Sequence, residues 1–157
     1  KTPMALTMVK PEEMENQAGT TLPPGGWFEI DQERINTFAD CTEDHQFIHI
    51  DEEAAAKSPF GGTIAHGFLT LSLLTKLSSE NSIGVKGVVM GVNYGIDKLR
   101  FLAPVRAGKR IRAHTEVLSV DRKDANRFLV KTAVTVEIEG GETPALYAEW
   151  LGMQFIA

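Results

Sequence analysis

Residues 42–77, TEDHQFIHIDEEAAAKSPFGGTIAHGFLTLSLLTKL, place an acid, three histidines, a glycine turn and an apolar segment in one contiguous block. Asp51 is a candidate N-cap for a short helix over residues 52–57, which the glycine-containing run 58–62 ends. From residue 64 to 77 the pattern is helical and apolar on nearly every side, which is typical of a buried helix. We therefore expect an active site built around the start of a central helix.

The rest of the chain predicts a sheet that packs against this helix. Residues 1–26 are expected to form a loosely held arm with one short helix, ahead of a domain over residues 27–157. In that domain a short strand at 27–30 precedes a helix at 32–41 that Asp31 caps. Beyond the central helix the apolar period changes to two, which indicates strands. The strands are predicted at 85–92, 94–102, 109–120, 128–139 and 145–155. This order favours a single α+β domain, with an antiparallel sheet wrapped around a buried central helix.

Composition narrows the classes of function. The 157 residues carry a formal charge of −5, which gives no general attraction to nucleic acid or to an anionic membrane. No apolar run approaches the roughly 20 residues of a membrane-spanning helix, and no signal sequence opens the chain, so a cytoplasmic protein is expected. The single cysteine, Cys41, cannot form an intramolecular disulfide, and we interpret it as a small buried residue and not as a nucleophile.

Asp44 and His49 are the first candidates for chemistry, because they are five residues apart with an irregular segment between them, which allows both side chains to face one cleft. A carboxylate in hydrogen-bond reach of an imidazole fixes its tautomer and raises its basicity, which suits the pair to activating water. The competing interpretation is an aspartate that only caps a turn.

The run from Gly61 to Gly67 adds a second component. Small residues at the start of a buried helix leave backbone N–H groups without partners, at the positive end of the helix dipole. Such a terminus can stabilise an oxyanion, and Gly67 permits close approach. The alternative is a simple chain turn, and for His66 we favour a buried, hydrogen-bonded structural role.

Zinc is a weaker hypothesis. His45 and His49 have the i, i+4 spacing of a zincin motif, but Gln46 stands where that motif needs its glutamate. We predict no metal and no separate cofactor.

A basic stretch is the third feature, with six cations and no acid between residues 98 and 112: Lys98, Arg100, Arg106, Lys109, Arg110 and Arg112. Strand-face cations are usually only solvated, but at the edge of a pocket they can bind phosphates.

The combination of Asp44, His49 and the segment from Phe60 to Gly67 resembles the MaoC-like family, which includes R-specific enoyl-CoA hydratases, and especially its branch related to nodulation protein N. The resemblance extends from about residue 27 to the C-terminus. It implies a hot-dog fold, usually dimerised into one continuous sheet with active sites at the subunit interface. One departure is that this chain has Gln46-Phe47 where the hydratases usually have Asn-Pro.

The resemblance also implies roles for residues. Asp44 and His49 are expected to handle the catalytic water, and the N–H of Gly67 to face the thioester oxygen. The expected substrate-binding residues are Gln46, Phe60, Gly62, Ile64, Ala65, His66, Arg100, Arg106 and Lys109.

The expected reaction is hydration of a trans-2-enoyl thioester to the (3R)-hydroxyacyl thioester, on CoA or an acyl carrier protein, by a homodimer. Two alternatives stay open. A hot-dog thioesterase often has a carboxylate on the central helix, and none lies between Gly67 and Ser79 here. A non-catalytic acyl-thioester binding protein would retain the pocket without turnover.

Overall fold

A five-stranded antiparallel sheet dominates the computed structural model, which describes residues 5–157 and the side chains from residue 7 onward. Its strand order is β2-β5-β6-β7-β4. The bounds of these strands are β2 Phe28–Glu29, β4 Val88–Phe101, β5 Arg110–Asp124, β6 Arg127–Ile138 and β7 Leu146–Ile156. A separate two-stranded parallel sheet pairs β1 (Ala5–Val9) with β3 (Asn81–Val85). The antiparallel sheet and its predicted position after the central helix are confirmed.

Alternation of side chains explains why the long strands form. In β6, Phe128, Val134 and Val136 are fully buried while their neighbours are partly exposed, as a strand with one face on the core requires. The sequence predicted two strands at 85–92 and 94–102. The structure instead has one strand, β4, with register shifts along its pairing with β7, and a separate β3 before it. A strand can continue through such bulges, so the division was wrong.

Five short helices precede most of the sheet. They are α1 Gln32–Thr42, α2 Phe47–Ile50, α3 Glu52–Ala56, α4 Gly67–Ser72 and α5 Leu74–Ser78. The two predicted caps are confirmed: the side chains of Asp31 and Asp51 accept hydrogen bonds from the backbone N–H groups of Arg34 and Ala54. The chain between Asp44 and His49 was expected to be irregular, but α2 begins within it at Phe47.

The central helix differs from its prediction. It begins at Gly67, three residues later than expected, and is interrupted at Leu73. One side packs on the concave face of the sheet through Leu69, Leu74 and Leu77. The other side is open in the single chain, where Phe68 is 65% exposed. The prediction of burial on every side is therefore wrong for this chain.

The N-terminal segment is packed and not loose. Its described part pairs β1 with β3, forms a 3-10 helix at Pro11–Gln17, and buries Met14 completely. The backbone N–H of Gly25 donates to the carbonyl of Ala113 on β5 at 3.0 Å. The expectation of a loosely held arm is wrong for these residues, because the segment covers the end of the sheet. The division of the chain at residue 26 stays a prediction.

Among the described residues, no helix has both the length and the apolar character that crossing a bilayer requires.

Candidate active site

The end of α1 positions the candidate catalytic loop. Glu43 adopts a left-handed backbone conformation, with φ of 62°, which ends the helix and turns the chain toward Asp44. The Asp44 carboxylate accepts a hydrogen bond from the backbone N–H of Gln46 at 3.3 Å. Gln46 is the N-cap of α2, and this one-turn helix directs His49 into the interior, where it is 6% exposed.

A backbone carbonyl fixes the tautomer of His49. Its Nδ1–H donates to the carbonyl of Ile64 at 2.7 Å, so Nε2 carries the lone pair. Burial lowers the pKa of His49 below the usual histidine value of 6.5, and this effect outweighs the raising effect of the Ile64 hydrogen bond. His49 is therefore a neutral imidazole near neutral pH, with Nε2 available as a base.

Asp44 lies near His49 but does not orient it. The structure brings Asp44, His49 and His66 together, with a carboxylate oxygen and one ring nitrogen from each histidine within 4.8 Å of one another. The Asp44 charge raises the pKa of His49, but it is the smallest of the four influences on that group. The predicted proximity of the pair is confirmed. The prediction that the carboxylate fixes the tautomer is wrong, because the carbonyl of Ile64 does so.

His66 supports the catalytic loop from the other side. Its Nε2–H donates to the backbone carbonyl of Asp44 at 3.0 Å, and its ring stacks on that of His49 with a centroid distance of 3.8 Å. Only 3% of the residue is exposed, which confirms the predicted buried, hydrogen-bonded histidine. The arrangement leaves His66 Nδ1 buried and without a hydrogen-bond partner among the described residues.

The start of the central helix faces the same cavity. His66 is the N-cap of α4, and Gly67 is its first residue. The cavity has a volume of about 270 Å³. Residues that line it include His49, Phe60, Ile64, Ala65, Gly67, Thr70 and Phe101. A side chain at Gly67 would place its Cβ 3.0 Å from the Phe101 ring, a contact tight enough that the ring would have to shift by a few tenths of an ångström. The helix terminus and the base thus share one cavity.

Comparison with known proteins identifies the family to which this chain belongs. Residues 13–139 match the MaoC like domain, which is most of the chain. The chain belongs to the MaoC-like dehydratase family. Two relatives of this MaoC-like protein are nodulation protein N of Rhizobium leguminosarum bv. viciae, 44% identical over 140 residues, and 3-hydroxyacyl-thioester dehydratase Z of Mycobacterium tuberculosis, 46% identical over 132 residues. These alignments cover 88% and 84% of this chain and 87% of each relative.

Solved structures confirm the hot-dog fold. The monoamine oxidase regulatory protein of Archaeoglobus fulgius superposes with a TM-score of 0.77 and 29% identity, over 98% of this chain and 99% of that one. The R-hydratase of Pseudomonas aeruginosa, in its unliganded form, superposes with a TM-score of 0.70 and 25% identity, over 89% of this chain and 83% of that one. The predicted family and fold are both confirmed.

The other predicted substrate-binding residues of this MaoC-like chain lie in three different places. Phe60, Ile64 and Ala65 line the catalytic cavity. Gln46 is exposed and contributes its backbone N–H to Asp44. Gly62 lies under the Arg106 guanidinium, where a Cβ added to the glycine would be 2.5 Å from one terminal nitrogen. The roles of all these residues in substrate binding stay predictions.

The basic stretch is partly neutralised. Arg110 at the start of β5 pairs with Glu139, which follows the last residue of β6, and Arg112 pairs with Glu137 at 2.8 Å across the β5–β6 pair. The Arg110 guanidinium lowers the pKa of the Glu139 carboxyl, as expected for a close ion pair. These two arginines therefore support the sheet. The other four cations of the stretch have no acidic partner in the described part of the chain: Lys98, Arg100, Arg106 and Lys109.

Gln32 is a positioning residue that the sequence did not reveal. Its Nε2 donates to the backbone carbonyl of His49 at 2.7 Å, and its Oε1 accepts from the hydroxyl of Thr63 at 2.5 Å. The amide therefore joins the first turn of α1 to both segments that form the site.

Two sequence interpretations are corrected. His45 is exposed and pairs with Asp40 at 3.0 Å, so the zincin-like pair with His49 is not formed. Cys41 is exposed and not buried, because it lies on the outer face of α1.

Proposed function

We propose that this protein catalyses the reversible hydration of a trans-2-enoyl thioester to the (3R)-hydroxyacyl thioester, with CoA as the carrier. The observation that carries the proposal is the buried His49. The Ile64 hydrogen bond leaves its Nε2 free, Asp44 lies close to it, and the residue lines the same cavity as the start of α4. Relatives named 3-hydroxyacyl-thioester dehydratase and 3-hydroxybutyryl-CoA dehydratase support the same hydro-lyase chemistry.

The mechanism uses one water molecule. His49 Nε2 removes a proton from water that Asp44 also binds, and the water oxygen forms a bond to C3 of the enoyl group. The C2–C3 π electrons move toward the thioester carbonyl, whose oxygen becomes an enolate stabilised by the N–H of Gly67. The proton on His49 then transfers to C2, which restores the carbonyl and the neutral base. The (3R) configuration is taken from the family resemblance.

The decisive experiment assays enoyl-CoA and saturated acyl-CoA thioesters in parallel. We expect loss of the enoyl absorbance without release of free thiol. Thiol release would favour the thioesterase, and tight binding without either signal would favour an acyl-thioester binding protein. A cytoplasmic location stays a prediction.

Arg106 is the cation best placed to bind the phosphates of CoA. Arg106 forms a β-bridge with Ile64 and follows Val105, and both of these residues line the catalytic cavity. Its guanidinium covers Gly61 and Gly62 and has no acidic partner among the described residues. Lys109, three residues on, is exposed beside it. A chain with a net charge of −5 needs such a local positive field to attract a polyanion.

We expect Arg106→Ala combined with Lys109→Ala to raise KM for the CoA thioester severalfold with a smaller change in kcat, because binding common to ground and transition states is lost. The effect should weaken as salt shortens the Debye length to about 8 Å. The matched control is Arg110→Ala, which removes a cation already paired with Glu139. A pantetheine thioester without the nucleotide should not respond to the double substitution, and an equal response would end the phosphate assignment.

The exposed edge of the sheet supports a homodimer. Among the described strands, β4 pairs with β7 on one side, and its other side is open. Exposed apolar side chains concentrate on and beside this strand: Phe68, Val89, Met90, Val92, Tyr94, Phe101 and Leu102. An open strand with apolar neighbours favours association with a second copy, which would also cover the open side of α4.

We expect light scattering at micromolar concentration to give at least twice the chain mass of 17.2 kDa. Tyr94→Asp, which places a charge among the exposed apolar groups of β4, should shift the mass toward the monomer. Lys123→Asp is the control, because it reverses a charge at an exposed position near the end of β5. A monomeric wild type with full activity would contradict the interface.

A further inference from the structure

Thr70 places a hydroxyl in a catalytic cavity that is otherwise almost wholly apolar. It and His49 are the two polar side chains in the cavity lining, whose other side chains are aliphatic or aromatic. Thr70 lies one turn after Gly67 in α4, and only 3% of the residue is exposed. Among the described residues its hydroxyl has no hydrogen-bond partner. Thr70 is therefore a polar group in the cavity without a role in the mechanism above.

Other hydroxyl groups on the helices bond back to the preceding turn. Thr37 on α1 donates to the carbonyl of Glu33 at 2.9 Å, and Ser72, on α4 itself, donates to that of Phe68 at 2.7 Å. A bond to the carbonyl four residues earlier is the usual way in which a helix satisfies such a side chain. Thr70 makes no bond of this kind, so its hydroxyl stays available for another partner.

The Thr70 hydroxyl is accessible from the cavity. In the described part of the chain, the side-chain polar atoms that are fully enclosed and lack a partner are His66 Nδ1 and Ser78 Oγ. The Thr70 hydroxyl also lacks a partner but is not one of them, so it keeps contact with open space, and the space that Thr70 lines is the catalytic cavity. A hydroxyl in apolar surroundings costs free energy unless water or a ligand bonds to it. The group therefore fits a ligand with a hydrogen-bonding atom.

Helix geometry brings this hydroxyl close to the backbone N–H of Gly67. Residues three apart share one helix face, with about 5–6 Å between their Cβ positions, and helical side chains lean toward the N-terminus. The side chain of Thr70 therefore lies over the first turn of α4, where Gly67 stands. Two donors up to about 5.8 Å apart can bond to one oxygen, through two hydrogen bonds of about 2.9 Å each. The two groups are thus placed to share an acceptor.

We propose that Thr70 is a further catalytic residue, whose hydroxyl donates a second hydrogen bond to the thioester oxygen beside the N–H of Gly67. The inference rests on the proposed function and adds a catalytic group to it. As water adds to C3, negative charge develops on the thioester oxygen, and a hydrogen bond to a charged acceptor is stronger than one to a neutral carbonyl. The hydroxyl keeps its proton throughout, and the proton on His49 still transfers to C2.

The test compares the kinetics of three Thr70 variants with a trans-2-enoyl-CoA. Thr70→Val keeps the shape of the side chain and removes the hydroxyl, and Thr70→Ala removes the hydroxyl with less bulk. Both should lower kcat by about 10- to 10²-fold, the range for a hydrogen bond to a charged group, with KM within severalfold of wild type. Thr70→Ser keeps the hydroxyl, so its kcat should stay within severalfold of wild type.

The stability of the variants should follow a different order from their activity. Thr70→Val replaces an unpaired hydroxyl by a methyl group, so its melting temperature should equal or exceed that of wild type, whereas Thr70→Ser loses a buried methyl group and should melt lower. A hydroxyl that only supports the fold would instead make the valine variant melt below the serine variant. Thr37→Val is the control, because it removes a hydroxyl bonded to its own helix outside the cavity lining and should leave kcat unchanged.

An infrared measurement tests the contact without turnover. The thioester carbonyl stretch of bound butyryl-CoA, isotope-labelled at that carbon, should lie at higher frequency in Thr70→Val than in wild type, because one hydrogen bond to the oxygen is lost. Unchanged kcat in the folded valine and alanine variants of an active enzyme would overturn the proposal, and so would a rise in KM alone. A frequency shift, together with no turnover of any enoyl-CoA by wild type, would instead reject the proposed function and leave the Thr70 contact.

Discussion

Replacement of His49 by alanine is expected to lower kcat by about 10²-fold or more, the usual scale for a general base. The substitution removes Nε2, the ring nitrogen whose lone pair stays free because Nδ1–H donates to the Ile64 carbonyl. Asp44→Asn should cause a loss of similar size, because an amide can bind water but carries no charge to stabilise the protonated imidazole. Both changes should leave the fold intact, which circular dichroism and thermal melting would verify.

The double variant separates a shared mechanism from two independent contributions. If Asp44 and His49 act on the same water, the double variant should be little worse than either single one. Near-wild-type turnover in either single variant would remove the proposed mechanism. Asp40→Asn is the control, because this carboxylate pairs with His45 outside the site.

The pH profile supplies an independent check on His49. Since burial lowers its pKa below 6.5, the base form persists into mildly acidic solution, and the acid limb of kcat/KM should lie below pH 6.5. Between the lowered pKa and 6.5 the unfolded chain binds more protons at this residue than the native chain does. His49 therefore makes the native state less stable as pH falls through that window. An acid limb above pH 6.5 would assign the titration to another group.

The sheet was predictable because its signal is local. In β6, apolar residues such as Val134 and Val136 alternate with polar ones, and that pattern alone identifies a strand with one buried face. The open side of the central helix was not predictable. Phe68 and Leu69 are adjacent and equally apolar, but one is 65% exposed and the other is buried. Apolar composition does not distinguish a residue that packs on the chain's own core from one that stays exposed.

The side chains of the site could be predicted from the sequence. Asp44 and His49 are close in sequence, and the structure places them together. The group that orients His49 is a backbone carbonyl, which any residue at position 64 would offer, so sequence gives no sign of it. Gln32 was missed for a different reason: it contacts the His49 backbone from 17 residues away, through an amide common on helix surfaces. Long-range hydrogen bonds of this kind depend on how the helices pack.

Gly67→Pro should lower kcat by about 10²–10³-fold, the scale observed when one oxyanion-hole donor is removed. Proline deletes the N–H but suits this position otherwise, because Gly67 is the first residue of α4, where a fixed helical φ is favourable. The preceding residue, His66, has φ of −60° and ψ of 137°, which is the backbone conformation that a following proline prefers. Among the described residues no backbone acceptor bonds to this N–H, so its loss breaks no internal hydrogen bond.

Gly67→Ala is the matched control, since alanine and proline both add a Cβ that meets the Phe101 ring at 3.0 Å, and only proline removes the donor. The same pair made in a Phe101→Leu background relieves that contact in both variants. The ratio of kcat between alanine and proline then reports the N–H alone. We expect this ratio to stay near about 10²–10³ in both backgrounds, because it measures a charge that develops only in the transition state. If alanine and proline lose activity equally, the contact with Phe101 accounts for the glycine, and another donor must stabilise the enolate.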